Sequence, residues 1–384
     1  MKNTVKNKIV IAVGIAGHPI AAAGNSWAFL QWVLGFQEAG WDVWVVESLH
    51  SEKLVDATWA KASFEQSANK SHWDSVMARF GLTECSTLLV DDAAETLGRA
   101  QDFATEADLF LNISGHFRSQ ILKFPKAKKI YLDLDPAFTQ IWSLVYKSDM
   151  NFAGHDRYFS YGSLLGQQGC LAPTCGLEWV GVFPPVVLKY WPCQAQQSEF
   201  VKFSTLAHWQ GYSWCEWEGQ WYKGKSEEFM KLTTLPRGVE AQFEIATEVE
   251  SNQVELDCFK SEGWNLVSGS EISQSFETYE AYLRQSSSEF SAAKGGYVLS
   301  QGGWFSDRSV CYLASGRPVV LQTTGIEKLI PTGEGLFTFS DVSSAAEACQ
   351  ALLENFQEQQ GAARALAERT FDSHVVIAGM LNRL

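Results

Sequence analysis

Hydrophobic positions along this chain fall into two alternating rhythms, short unbroken apolar runs and longer stretches with a single apolar face. Lys8 to Gly14 is a continuous apolar run, as a strand covered on both faces requires. The loop Ala16-Gly17-His18-Pro19 leads on to Gly24. Asn25 or Ser26 is then placed to cap a helix whose Trp27, Leu30, Val33, Leu34 and Phe36 or Ala39 share a face, and Gly40 closes it. Trp41 to Glu47 reads as a second strand. Strand, helix, strand is the crossover unit of an α/β doubly wound sheet, whose ligands bind at the strand C-termini. His18 lies on that edge.

Residues 51–84 read as helical with one polar side, and Leu88–Asp91, Leu109–Ile113, Ile130–Leu134 and Tyr158–Tyr161 as strands. Two of these strands run into polar loops, Ser114-Gly115-His116 and Asp133-Leu134-Asp135-Pro136, as a ligand-facing rim requires. Pro173, Pro184, Pro185 and Pro192, followed by polar Gln194 to Glu199, read as a linker. The boundary falls near residue 195 and gives two domains, 1–195 and 196–384.

The second half starts again with a β-prone run, Phe200–Leu206. A loop with Trp209, Trp214, Trp217 and Trp221 follows, then Tyr222-Lys223-Gly224-Lys225 and a helix bearing Phe229, Met230 and Leu232. Gln242–Thr247, Trp264–Val267 and Tyr297–Leu299 supply further strands. After Gly302 and Gly303, Ser306 and Asp307 are placed to cap a helix from Arg308 to about Ser315, which Gly316 stops. Arg317-Pro318 opens the apolar run Val319-Val320-Leu321, which ends in Thr323-Thr324-Gly325 and Glu327. A glycine turn feeding a helix N-terminus offers backbone N–H groups and partial positive charge, so this segment reads as a phosphate site. Ala345–Phe356 and Ala362–Phe371 read as amphipathic helices, with Phe371–Leu384 continuing them.

At 384 residues, 46% hydrophobic and 19% charged, the chain has the make-up of an ordered protein with more than one core. Its net charge of −14 and the lack of a basic face beyond Lys126, Lys128 and Lys129 argue against a nucleic-acid partner. Eight scattered cysteines, with Cys170 and Cys175 the nearest pair and no histidine at metal-finger spacing, point to a reducing, cytoplasmic setting without structural zinc. The N-terminal Lys2, Lys6 and Lys8, the apolar Ile9–Gly17 and Ala21-Ala22-Ala23 imitate a secretion signal. His18-Pro19 interrupts the pattern, and the following helix and strand need Ile9–Val13 as a neighbour. No apolar run approaches the ~20 residues that span a bilayer.

Two such halves in series, with the run Tyr312-Leu313-Ala314-Ser315-Gly316-Arg317-Pro318-Val319-Val320, then Thr324-Gly325 and Glu327, resemble the GT-B glycosyltransferases. Val180–Pro192 and Glu368–Phe371 also resemble that group. The likeness implies two Rossmann-like domains facing a cleft. The first holds an acceptor, a small molecule or peptide; the second holds a nucleoside-diphosphate sugar such as a UDP-sugar as co-substrate; the last helix packs back on the first domain. It implies no tightly bound cofactor and no protein-bound metal, although Asp133-Leu134-Asp135 is the pattern that binds a divalent ion in a different transferase fold. Gly302, Gly303, Ser306, Asp307 and Arg308 would face the diphosphate, with Thr324, Gly325 and Glu327 near the sugar or nucleotide. Lys225 resembles the basic residue such domains send to the diphosphate. Many retaining members carry a pair of glutamates where this sequence has Gly303 and Cys311, the second of them gripping the ribose.

Glycosyl transfer needs an acceptor hydroxyl made nucleophilic and positive charge on the leaving diphosphate. His18 is the first choice for the base, with His116 as its partner or replacement and Asp135 or Asp133 to polarise a histidine. Each also fits a plain turn or hydrogen-bonding role. Arg308, a fork of donors beside a glycine turn, suits phosphate. Gly17, Asn25 and Trp27 lie on the acceptor side. Of the fifteen tryptophans, Trp27, Trp209 and Trp304 fall beside the proposed ligand loops. The competing readings are a nucleotide-sugar epimerase on the same scaffold and a non-catalytic sugar or nucleotide binder.

Overall fold

The computed structural model describes residues 6–93, 97–193, 201–209, 211, 214–248 and 253–384. In the first half, β1 (Lys8–Ala12), β2 (Asp42–Leu49), β3 (Ser86–Val90), β4 (Leu109–Ile113), β5 (Lys128–Asp133), β6 (Arg157–Ser160) and β7 (Trp179–Gly181) form one sheet in the order β3-β2-β1-β4-β5-β6-β7. Every pairing in it is parallel.

The second half has β8 (Lys202–Leu206), a hairpin of β9 (Cys215–Trp217) and β10 (Gln220–Tyr222), then β11 (Gln242–Thr247), β12 (Trp264–Ser268), β13 (Ser288–Ser291), β14 (Val319–Gln322) and β15 (Leu336–Phe339). Apart from the hairpin these make a parallel sheet, β12-β11-β8-β13-β14-β15. Both sheets are doubly wound. The strand order reverses between β1 and β4 in one and between β8 and β13 in the other, and a crevice at the strand C-termini opens at such a reversal.

Burial explains the run of Ile9 to Ala12: β1 is central, and both its faces are covered by apolar clusters. One continuous cluster runs from Ile9 and Trp32 through Phe138 to Tyr297, Val310 and Tyr312, so a single core passes from the first half into the second. The closing helix Ser373–Leu381 lies on the helix Ala23–Glu38. A Cβ on Gly35 would stand 2.8 Å from Ser373 Cβ and 2.9 Å from Ile377 Cδ1, so only glycine permits that crossing.

Several elements differ from the sequence expectation. Tyr297–Leu299 is not a strand but part of the short helix Gly295–Ser300, and the strand before it is β13, whose Ser-Glu-Phe-Ser sequence looks polar. The helix after β1 starts at Ala23, ahead of both expected caps: Asn25 and Ser26 lie inside it, and their side chains bond elsewhere. Within 51–84 only Ala68–Arg79 is α-helical, joined by short turns and the Val55–Lys61 bridge. The tryptophan-rich loop contains the β9–β10 hairpin, and β7 and β15 were not anticipated. Pro173, Pro184, Pro185 and Pro192 are not linker: β7 lies between Pro173 and Pro184 and belongs to the first sheet, while the polar Gln194–Glu199 and the boundary near 195 lie outside the described residues.

Candidate active site

The loops after β1 and β4 flank the first sheet's reversal, and they meet at Gly14. His18 Nδ1 lies 3.2 Å from Gly14 O, and Asn25 Nδ2 donates to the same oxygen at 3.2 Å. A Cβ on Gly14 would stand 2.9 Å from His116 Cδ2, so the missing side chain is what lets the His116 ring close on the loop. His116 is an exposed residue whose ring packs against Gly14 on one side and Phe29 on another. That crowding, with the nearby His18, lowers its pKa to about 4, so it is neutral at pH 7.

The loop itself is shaped by Glu47 at the end of β2. Its carboxylate accepts from Ile15 N and Ala16 N at 2.8 Å each and from Gly17 N at 2.7 Å. Burial outweighs these bonds and raises its pKa to about 7. Gly17 and His18 remain exposed at the loop's crest.

Asp133 and Asp135, at the end of β5, take separate tasks. Asp133 is buried, with Oδ2 receiving Gln140 Nε2 at 2.9 Å and Ser160 Oγ at 2.8 Å, and Oδ1 receiving Asp135 N at 3.0 Å. It holds the loop together and does not face the cleft. Among the described residues no group of three or more His, Cys, Asp and Glu side chains could hold a metal ion. Asp135 reaches across to the second half, where Lys294 Nζ stands 2.8 Å and Tyr297 OH 2.5 Å from its Oδ1.

Lys294 follows β13, and His208 follows β8, so these two flank the second sheet's reversal. His208 Nδ1 is 2.7 Å from Glu248 Oε1, a bond that raises the histidine's pKa. Burial pulls the Glu248 carboxyl the other way, but the His208 bond prevails and lowers it to about 2. Lys294 is in turn set by its loop: Ala293 N donates to Gln322 Oε1 at 3.1 Å, and Gln322 Nε2 donates to the buried Glu228 at 2.7 Å.

Lys225 lies behind Lys294 and is 8% exposed. Among the described residues its ammonium makes no hydrogen bond or ion pair. Burial, followed by the Arg308 charge, pushes its pKa well below the usual lysine range. Asp307 and Glu289 are its acidic neighbours, and burial raises the Asp307 carboxyl. Arg308 is engaged already: it meets the buried Glu289 at 2.7 Å and Ser291 Oγ at 2.8 Å, and its Nη1 donates to Leu206 O. Burial works against that charge and Glu289 more than offsets it, so the guanidinium stays protonated.

The double-glycine corner does not offer the amides its sequence promised. Gly303 takes φ +72° and donates its N–H to Thr324 O at 2.8 Å, while Thr324 Oγ1 donates to Trp304 O at 2.6 Å. Gly302 O accepts from Leu164 N of the first half, so the corner is buried against protein on both sides. Gly325, at φ +93°, lies so close that a Cβ would be 2.7 Å from Gln301 O, and its N–H is capped by Glu327 Oε2 at 3.1 Å. Ser306 caps its helix as expected, accepting from Arg308 N at 3.2 Å, and Asp307 is that helix's first residue. These glycines serve a close backbone clasp, with Gly303, Thr324 and Trp304 bonded to one another.

The structure thus brings together His18, His116, Asn25 and Asp135 on one side and Lys225, Asp307 and Arg308 on the other. It does not bring Trp27 or Trp209 to the cleft: Trp27 is buried among Phe80, Tyr190, Trp191 and Phe276, and Trp209 stacks on Phe229. Trp304 stacks on Tyr297 at 4.3 Å and braces it. Sequence reasoning missed Lys294, Tyr297, His208 and Glu47. A signal existed for Lys294, which precedes Gly295-Gly296 and would have stood on the rim had β13 been recognised. Cavities of about 380 and 410 Å³ lie elsewhere, one beside β7 and Arg383 and one beside Cys193 and Arg364.

No protein-family model and no curated protein matches the sequence. Solved structures do match over nearly the whole chain. The UDP-glucose complex of HepE from Anabaena is 10% identical, covers 98% of this chain and 100% of its own, and superposes with a TM-score of 0.58. The sucrose-phosphate synthase of Thermosynechococcus elongatus is 10% identical over 98% of each chain, with a TM-score of 0.54. TarM is 8% identical over 100% of this chain and 99% of its own, with a TM-score of 0.59. Two doubly wound parallel sheets meeting at their strand C-termini, superposable end to end on these proteins, give the chain the GT-B fold.

Proposed function

We propose that this protein is a glycosyltransferase that moves a sugar from a nucleoside-diphosphate sugar to an acceptor hydroxyl in the cleft between its halves. The observation that carries the reading is Lys225, a buried ammonium without a bonded partner among the described residues, next to Lys294 and Arg308. A buried amine with no bonded partner, beside the Arg308 and Lys294 charges, is costly to protonate, and an anion entering from the cleft relieves that cost. The diphosphate of a UDP-sugar fits, and the UDP-glucose held by HepE, a protein of the same fold, supports that donor.

On this reading residues 1–195 hold the acceptor, near Gly17, His18 and Asn25, and residues 196–384 hold the donor. The bond from the sugar's anomeric carbon to the diphosphate oxygen breaks, and its electron pair leaves with the diphosphate, whose charge Lys225 and Lys294 offset. The anomeric carbon bonds to the acceptor oxygen, whose proton passes to His18 or to His116, which is neutral at pH 7 and has a lone pair to take it. Asp135 orients the pair and steadies the charge that forms. Ser306, Asp307 and Arg308 fix the wall behind the phosphates. Gly302, Gly303, Thr324, Gly325 and Glu327 form the backbone clasp that shapes the donor pocket. The protein requires no bound metal for this chemistry and works in the cytoplasm; among the described residues no helix is long and apolar enough to cross a membrane.

Thermal-shift measurements with UDP, GDP, ADP and dTDP test the reading. A ligand at 100 times its dissociation constant stabilises a protein by roughly 2.7 kcal/mol, a rise in melting temperature that is easily resolved. Release of UDP from a UDP-sugar, stimulated by an acceptor, then separates an enzyme from a binder. Failure of every nucleoside diphosphate to raise the melting temperature would sink the donor site.

A further inference from the structure

The β9–β10 hairpin has two unlike faces. Its antiparallel register sets Cys215 opposite Tyr222, Glu216 opposite Trp221 and Trp217 opposite Gln220. Strand alternation therefore puts Cys215, Trp217 and Tyr222 on one face and Trp214, Glu216, Trp221 and Lys223 on the other. The inner face is core: Cys215 and Tyr222 are buried in the cluster that contains Phe138 and Tyr297, across the seam between the halves. On the outer face Trp214 is 51% and Trp221 52% exposed. Tyr146, 48% exposed and contributed by the first half, accepts from Glu216 N at 3.0 Å and extends that face. Lys223 Nζ stands 4.7 Å over the Trp214 ring.

We propose that this outer face is a stacking platform for a neutral oligosaccharide, the acceptor chain of the transfer; the proposal rests on the transferase reading and names its acceptor class. Tryptophans held half in water bring no packing gain that the inner face does not already supply, and grouped exposed aromatics mark binding surfaces. Flat rings suit a sugar, whose C–H face stacks on them while its hydroxyl edges stay in water. Charge disfavours the other large occupants. Glu216 and Lys223 on the face offset each other, Glu218 lies in its turn, and the chain's net charge is −14, so nothing there draws an anionic lipid surface or nucleic acid.

The platform is also continuous with the cleft. Gly295 N donates to Gly224 O at 2.9 Å and Gly296 N to Lys223 O at 3.1 Å, which ties the end of β10 to the loop that carries Lys294. Trp221 precedes Lys225 by four residues, at most about 13 Å of extended backbone. A chain whose end sits at the cations therefore has the tryptophans within reach of its body.

The test is a titration of the full chain with maltohexaose, cellohexaose and chitohexaose, followed by tryptophan fluorescence and saturation-transfer NMR. At least one hexasaccharide is expected to bind the wild type, the Trp214→Ala/Trp221→Ala pair to bind it at least tenfold more weakly, and the Trp214→Phe/Trp221→Phe pair to recover part of the loss. Circular dichroism checks that both variants are folded. The proposal is overturned if no hexasaccharide binds or if the alanine pair binds as the wild type does. It is equally overturned if the wild type instead sediments with vesicles of phosphatidylcholine and phosphatidylglycerol and the alanine pair does not. UDP binding by the wild type is measured alongside. Oligosaccharide binding without UDP binding sinks the transferase reading and keeps a saccharide platform, whereas UDP binding without oligosaccharide binding sinks the platform alone.

Discussion

Lys294 Nζ and Asp135 Oδ1 meet at 2.8 Å although 159 positions separate them in the chain, and their bond joins the two halves at the mouth of the proposed site. Tyr297 OH donates to the same oxygen. Both partners are partly solvated, with Lys294 21% and Asp135 27% exposed, so the pair contributes on the order of 1 kcal/mol and is screened by salt. Asp135→Asn should therefore lower stability by about that amount while leaving UDP affinity unchanged or raised, since Lys294 loses a competitor of the phosphate. Lys294→Met should weaken UDP binding at least tenfold. Calorimetric titration of both variants decides the matter, and equal losses of affinity would show that Lys294 acts only as a strut.

Lys225 gives the donor site a pH dependence of known sign. Burial and Arg308 depress its pKa in the free protein, and a diphosphate beside it must raise that pKa again. Between the two values binding takes up a proton, so affinity for UDP-glucose should fall as pH rises through that window. Titrations in buffers of different ionisation enthalpy count the proton directly. Lys225→Met should lose the affinity, the proton uptake and the pH dependence, with no loss of melting temperature, because it removes a buried ionisable group that makes no hydrogen bond or ion pair among the described residues. A pH-independent affinity in the wild type would remove Lys225 from the site.

How far the sequence could be read is clearest at β1 and β13. β1 announces itself because a strand covered on both faces needs only apolar residues, and the loop after it put His18 on the ligand edge without any knowledge of distant contacts. β13 is as deeply buried, but its polar residues find their partners from afar: Ser288 Oγ donates to Pro318 O, Glu289 Oε1 pairs with Arg308, and Ser291 accepts from Arg308. No local pattern encodes such partners. The local pattern therefore favours a strand at Tyr297–Leu299, and Lys294 does not stand out in it. The double-glycine corner failed for the same reason, since the partner of Gly303 N is Thr324 O, supplied by the turn after β14. The meeting of His18 and His116 at Gly14 was legible only as two strand ends, and the missing Cβ that permits it belongs to packing.

Glu47 should make stability depend on pH in the direction opposite to most carboxylates. Its pKa rises from 4.5 to about 7 on folding, so the folded chain holds the proton more tightly than the unfolded one. The resulting contribution is fully present below pH 4.5 and is lost as pH rises through about 7, on the order of 3 kcal/mol at most. Glu47→Gln removes the titration and also leaves one of three backbone N–H groups facing an amide NH₂, a loss of about 1–3 kcal/mol. Urea denaturation at pH 5 and pH 7.5 should show the wild type's advantage over the variant narrowing at the higher pH. A constant difference would mean that Glu47 is ionised throughout.

Gly296 and Phe138 test whether the seam positions the site. A Cβ on Gly296 would stand 2.5 Å from Phe138 Cζ and 2.6 Å from Cε2, closer than any real contact, and the Phe138 ring is wholly buried. Alanine is the better helix former by about 1 kcal/mol, yet overpacking of this kind typically costs 1–3 kcal/mol, so the clash should win. Gly296→Ala is expected to lower the melting temperature and, by displacing Lys294 nearby on the same turn, to weaken UDP binding as well. Phe138→Leu shortens the ring that is struck. The double variant should then be more stable than the sum of the single losses predicts by at least about 0.5 kcal/mol, the coupling expected of residues in contact. Strict additivity, measured by denaturant unfolding of all four proteins, would mean that the two halves accommodate the methyl by moving apart, and UDP affinity in the double variant would then stay as low as in Gly296→Ala.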